Sequence, residues 1–131
     1  MILDTDMLIG YFRGEDAARR FPTRVPFPER TVSALMVMEL LQGCCDPCEM
    51  RETAAFVSAT LATVLYPTEV ISRLAIRLLE LHALGAGLRV VDALIATTAL
   101  AARDALATAT GRPYRVIAGL SLVTFRSGRS A

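Results

Sequence analysis

Three carboxylates interrupt the most apolar stretches of this chain: Asp4 in MILDTD, Glu39 in MVMELLQG and Asp92 in VVDALIATTA. Acids rarely enter apolar surroundings unless they are paired or bound to metal. Three of them, far apart in sequence, favour a fold that brings them to one acidic site. Two carboxylates ~4 Å apart repel by about 4 kcal/mol at an effective dielectric of 20. Without a cation, one of their pKa values rises. Mg²⁺ or Mn²⁺ would neutralise such a cluster through oxygen ligands while keeping several waters. One water then becomes a nucleophile near neutral pH, and the ion stabilises charge on a phosphoryl oxygen. Hydrolysis of a phosphodiester fits this chemistry. Each acid also has a plainer reading. Asp4 or Asp6 could simply cap a helix, with Asp6 the better candidate because Asp4 directly ends an apolar run. Glu39 shares a helical face with Gln42 and Asp46, and that face could be solvated. Asp92 suits the positive end of a helix dipole.

The order of elements narrows the fold. Met1-Ile2-Leu3 is a short apolar run that reads as a buried strand, and the following MLIGYFRG has helical character up to a stop at Gly14. Pro22, Pro26 and Pro28 make residues 21–30 a loop. Thr31-Val32-Ser33 is β-prone, and Ala34 to Gln42 reads as helix. Asp46-Pro47 opens another helix that reaches about Ala62. Val64-Leu65-Tyr66 is a further strand candidate. Thr68 can cap the next helix, whose apolar face runs through Ile71, Leu74, Ala75, Leu78 and His82. Ala93 to Ala102 is apolar on nearly every side and should be buried. Ala105 to Thr108 and Ser121 to Val123 are weaker strand candidates. Strands alternating with helices predict an α/β fold with a central parallel sheet flanked by helices. Ligands bind beyond the carboxyl ends of such strands, where Asp4 stands.

Composition sets limits. The chain's 131 residues favour one domain spanning 1–131 and can bury a sizeable core. No apolar run is long enough to span a membrane, and no secretory leader pattern opens the chain, so the expected location is the cytoplasm. Net charge is +1, which argues against a chain that is a polyanion binder over its whole surface. The chain has no Lys. No acid follows Asp104, whereas Arg112, Arg115, Arg126 and Arg129 do, which makes the C-terminal end a plausible phosphate contact. Cys44, Cys45 and Cys48 are too few for a disulfide framework, and the CxxC at Cys45 and Cys48 lacks further zinc ligands beyond Cys44 and His82. With a single histidine there is no Ser-His-Asp or Cys-His arrangement, and no GxxxxGK[ST] or GxGxxG occurs.

The segments MILDTDMLIGYFRG, TVSALMVMELLQG and GLRVVDALIATTAL, with LATATGRPYRVIAGLSLV as a weaker match, resemble the PIN-domain ribonucleases, and closely the VapC-type toxins of toxin–antitoxin systems. The resemblance covers nearly the whole chain in order. It implies a PIN-like fold and Mg²⁺- or Mn²⁺-dependent endonucleolytic cleavage of RNA. It places the catalytic, metal-binding acids on Asp4, Asp92 and Glu39, with Asp6 and Thr5 in supporting roles. It also implies a homodimer and a small antitoxin that inserts beside the acidic site. The pattern departs at Thr110, which stands where the family often has Asn or Asp, and at Pro113, which replaces a usual His. Thr110 would then only orient a water, and Arg112 and Arg115 could hold the RNA backbone. Two other readings stay open: a PIN-like domain that binds RNA or protein without cutting, and a nuclease directed at DNA.

Overall fold

In the computed structural model, residues 1–12 and 25–124 are described. Gly14, Pro22, Arg126 and Arg129 lie outside them. Among the described residues, five parallel strands form one sheet: β1 (Ile2–Leu3), β2 (Thr31–Ser33), β3 (Thr63–Leu65), β4 (Leu106–Thr108) and β5 (Leu122–Thr124), in the order β3-β2-β1-β4-β5. The helices are α1 (Thr5–Phe12), α2 (Ala34–Gln42), α3 (Pro47–Thr60), α4 (Glu69–Ala86) and α5 (Val90–Ala102). Short 3₁₀ turns cover Phe27–Glu29 and Arg112–Tyr114. The parallel α/β architecture is the one the alternating pattern predicts.

The central strand is two residues long and completely buried. Ile2 and Leu3 are both fully inaccessible, as expected for a strand covered on both faces. Pairing of Ile2 with Leu106 and of Leu3 with Ala107 fixes the register of β1 against β4. The ladder runs one residue further, since the Asp4 N–H donates to the Ala107 carbonyl (2.8 Å). Asp4 therefore stands opposite the end of β4. Strand order reverses direction at β1, so the crevice between β1 and β4 is the switch point at which α/β sheets take ligands.

Local chemistry sets the helix starts. The Ser33 hydroxyl accepts from the Leu35 N–H, Asp46 from the Glu49 N–H (2.8 Å) and Thr68 from the Ile71 N–H (3.2 Å). Each satisfies an amide that the helix leaves without a partner. α4 ends at Gly87, whose φ of +69° is a left-handed conformation that glycine adopts at low cost. α5 is buried at Ala93 and from Ile95 to Ala99. Its inward threonines return their protons to the helix: Thr97 donates to the Ala93 carbonyl (2.9 Å) and Thr98 to the Leu94 carbonyl (2.7 Å). The predicted inner face of α4 is corrected at one position. Ile71 and Ala75 are buried and Leu78 and His82 partly so, but Leu74 is exposed because it lies toward the helix's outer side.

Candidate active site

Asp4 sits where β1 meets α1. The helix begins at Thr5, so it is Asp4 and not Asp6 that holds the capping position: its carbonyl accepts from the Met7 and Leu8 amides, and its Oδ1 accepts from the Thr5 N–H (2.7 Å). Asp6 falls in the first helical turn and faces β4. The Ala109 N–H donates to its Oδ1 (3.2 Å), and the Thr108 hydroxyl is 3.1 Å from its Oδ2.

Asp4 is buried, at 8% exposure, yet it is well supplied with donors. Its Oδ2 accepts from the Thr108 hydroxyl (2.9 Å) and from the Tyr114 hydroxyl (2.9 Å). The Tyr114 oxygen is also 3.4 Å from Asp92 Oδ1, so one phenol touches two of the predicted acids. Burial, and next the charge of Asp6, push the Asp4 carboxyl up from 3.8 to about 6, while the bonds from Thr108, Thr5 and Tyr114 pull the other way. Burial and then the charges of Asp4 and Asp92 raise the Tyr114 phenol far above its ordinary value, so it keeps its proton and acts as a donor. Thr108 has a single proton for Asp4, Asp6 and the Thr110 carbonyl, and its oxygen accepts from the Thr110 N–H (3.1 Å).

Glu39 reaches the site from α2, where the Thr5 hydroxyl donates to its Oε1 (2.9 Å). Asp92 occupies the first turn of α5 and is half-buried. Asp4, Asp6, Glu39 and Asp92 line one open cavity of about 550 Å³, together with Thr5, Thr110, Pro113, Tyr114 and Arg89. The fold thus brings the three predicted acids, both supporting residues of the opening motif and Thr110 to one place. Arg112 and Arg115 are exposed beside it and do not line it.

Reading the sequence missed three residues. Thr108 could have been found, since it ends β4 as Asp4 follows β1. Tyr114 gave no signal, because its reach depends on the 3₁₀ turn at Arg112–Tyr114. Arg89 precedes α5 directly and is the one cation among the described residues lining the cavity. The cysteines stand apart from this centre. Cys45 and Cys48 are exposed, and the hydrogen bond and charge of Glu52 raise the Cys48 thiol, the opposite of what a zinc or redox thiolate requires.

The donor set tests the fit to a metal. Every candidate ligand is a carboxylate oxygen, which suits a hard cation. Among the described residues, however, no three His, Cys, Asp or Glu side chains converge closely enough to share one ion. Mg²⁺ does not require three, since it is commonly held by one or two carboxylates and otherwise by water. Asp4 and Asp92, joined through Tyr114, fit that habit.

The PIN domain family model matches residues 1–119. The chain is a PIN domain protein. Its fold is similar to that in a toxin–antitoxin complex from Klebsiella pneumoniae, at 25% identity over 94% of this chain and 95% of that one, with a TM-score of 0.78. DNA-bound VapBC from Salmonella typhimurium is similar at 20% identity over 94% of this PIN domain protein and 96% of the other chain, with a TM-score of 0.77. VapBC2 from Rickettsia felis, bound to a DNA fragment from its promoter, gives 17% identity, 95% and 97% coverage and a TM-score of 0.75. These last two likenesses concern the fold alone. No functionally curated protein matches the chain in sequence.

Proposed function

We propose that this PIN domain protein is a Mg²⁺- or Mn²⁺-dependent endoribonuclease and the toxin of a toxin–antitoxin pair. The observation that carries the reading is the convergence of Asp4, Asp6, Glu39 and Asp92 on an open cavity at the carboxyl ends of β1 and β4. Four acids on one cavity, one of them buried and raised to about 6, form an environment that favours a cation. Asp4 and Asp92 would hold the ion, with Glu39 and Asp6 beside its waters. Bound there, such an ion supplies an acidified water and neutralising charge for phosphoryl oxygens. The chain's own residues prepare the site. Thr5, Thr108 and Tyr114 hold the Asp4 carboxylate at fixed orientation. Thr5 also ties Glu39 to the start of α1, so that it can accept a proton from a water within the cavity. Arg89 places a cation at an otherwise acidic wall, which suits a polyanionic substrate.

Purified protein free of antitoxin should cut members of a mixed RNA panel with Mn²⁺ or Mg²⁺ and stop with EDTA. Uncut RNA under every condition, with protein shown to be folded, would defeat the reading. Preference for branched DNA over RNA would redirect it to a DNA nuclease. A domain that binds RNA or protein without cutting is the second reading. It is favoured by Thr110, which brings a hydroxyl where a fourth acid would add charge, and by the lack of a three-acid cluster among the described residues.

Two surfaces support the partners. A groove of about 250 Å³, lined by Ile9, Leu40, Cys44, Thr53 and Phe56, shares Glu39 with the acidic cavity. It offers an antitoxin segment an apolar seat beside the acids, and the similar chain from Klebsiella pneumoniae comes from a toxin–antitoxin complex. The outer side of α4 exposes Val70, Leu74, Leu81 and Leu84. An apolar stripe of this kind suits a homodimer. Light scattering should give twice the chain mass for the wild type and a monomer for Leu81→Glu; a dimeric variant would move the interface elsewhere, and a monomeric wild type would defeat the homodimer.

A further inference from the structure

We propose that Tyr114 is a positioning residue for the metal site, its hydroxyl holding Asp4 and Asp92 in the arrangement that receives the cation. The inference rests on the metal-dependent reading above. A carboxylate has about four acceptor positions, two on each oxygen. On Asp4, Oδ2 takes both Thr108 and Tyr114, and Oδ1 takes the Thr5 N–H. One acceptor position is left, on Oδ1. The carboxylate is therefore locked about its own axis, and the oxygen that stays available is chosen by the donors on the other one.

Of the two hydroxyls on Oδ2, Tyr114 is the one free of Asp6. Thr108 divides its single proton among Asp4, Asp6 and the Thr110 carbonyl. Among the described residues, the Tyr114 hydroxyl has Asp4, at 2.9 Å, and Asp92, at 3.4 Å, within reach, and its one proton favours the nearer Asp4. Its oxygen stands between the two acids, so it sets their spacing as well as the orientation of Asp4. The ring is 2% exposed and packs in the core cluster, which leaves the hydroxyl little freedom to move. Groups that orient metal ligands in this way typically cost about 10- to 100-fold in metal affinity or activity when lost.

The test is Mn²⁺ affinity, read from the free-ion paramagnetic resonance signal during titration of wild type, Tyr114→Phe and Asp4→Asn. The phenylalanine variant keeps the ring and removes one oxygen. A purely structural role would lower its melting temperature and leave the affinity of the folded protein intact. The expected result is about 10-fold or weaker Mn²⁺ binding by Tyr114→Phe, with Asp4→Asn weaker still. Affinity within twofold of wild type, or tighter, overturns the proposal. A second measurement uses the wild type alone, with ring-labelled tyrosine: Mn²⁺ should broaden the Tyr114 resonance before that of Tyr66, and simultaneous broadening counts against it. Wild type that neither binds Mn²⁺ nor cuts RNA overturns the nuclease reading as well. Wild type that does both, with a phenylalanine variant of equal affinity, overturns this inference alone.

Discussion

Asp92→Asn is expected to give a folded protein that still binds RNA and cuts it at least ~100-fold more slowly. Outer-shell partners of a metal site already cost about 10- to 100-fold when removed, so losing the charge of Asp92 should cost more if it is the proposed ligand. The fold should tolerate the change. Asp92 is half-buried in the first turn of α5, where its charge interacts with the helix dipole by about 0.3–1 kcal/mol. The amide oxygen can still accept from Tyr114. Single-turnover cleavage with Mn²⁺ reads the chemical step, and filter binding in EDTA reads RNA affinity. A rate within tenfold of wild type would remove Asp92 from the metal site and turn attention to Glu39 and Asp6.

Asp4→Asn should behave differently, raising the melting temperature of the metal-free protein at pH 7.5 by about 5 °C. An unfolded aspartate ionises near 3.8, whereas Asp4 in the fold ionises at about 6. The folded state therefore holds this proton more tightly. The stability that Asp4 contributes is fully present below the unfolded value and is lost as pH rises through about 6. Over that window the loss is at most roughly 3 kcal/mol. Asparagine never ionises, so it escapes the penalty, and each kcal/mol corresponds to several degrees for a domain of this size. Its amide can donate to the Thr108 and Tyr114 oxygens, which accept once their protons turn away. By about pH 4, near the unfolded value, most of the difference between the two proteins should vanish. At pH 7.5, millimolar Mg²⁺ should stabilise wild type and not the variant. Melting curves at both pH values, with and without metal, check this. A variant less stable at both would mean that capping of α1 outweighs the buried charge.

Much of the architecture was legible because the first two strands are each announced by a β-prone run and closed by a polar residue. Ile2-Leu3 before Asp4, and Thr31 to Ser33 before α2, are of this kind. The cap at Thr68 and the Asp46-Pro47 start were equally local, and local chemistry reads directly from neighbours. Where Asp4 and Asp6 divide their roles was not legible, since the choice depends on whether the sheet ladder continues past Leu3. It does, and the bond to Ala107 leaves Asp4 with both strand and cap duties. Tyr114 escaped for a related reason. Its contact with Asp4 joins residues far apart in the chain through a turn that has no periodic pattern. Leu74 was assigned inward by spacing alone, although an apolar residue on an outer arc has the same spacing as one on an inner arc.

Arg89, Val90 and Asp92 share the opening turn of α5. The cavity's lining cation and one of its acids are therefore carried by one helix, anchored by the buried Ala93 and Ile95 to Ala99. They cannot be adjusted separately. A small tilt of that helix would change the spacing between acids and the grip on a polyanion in the same stroke. Val90 lies between the two in this turn, 60% exposed.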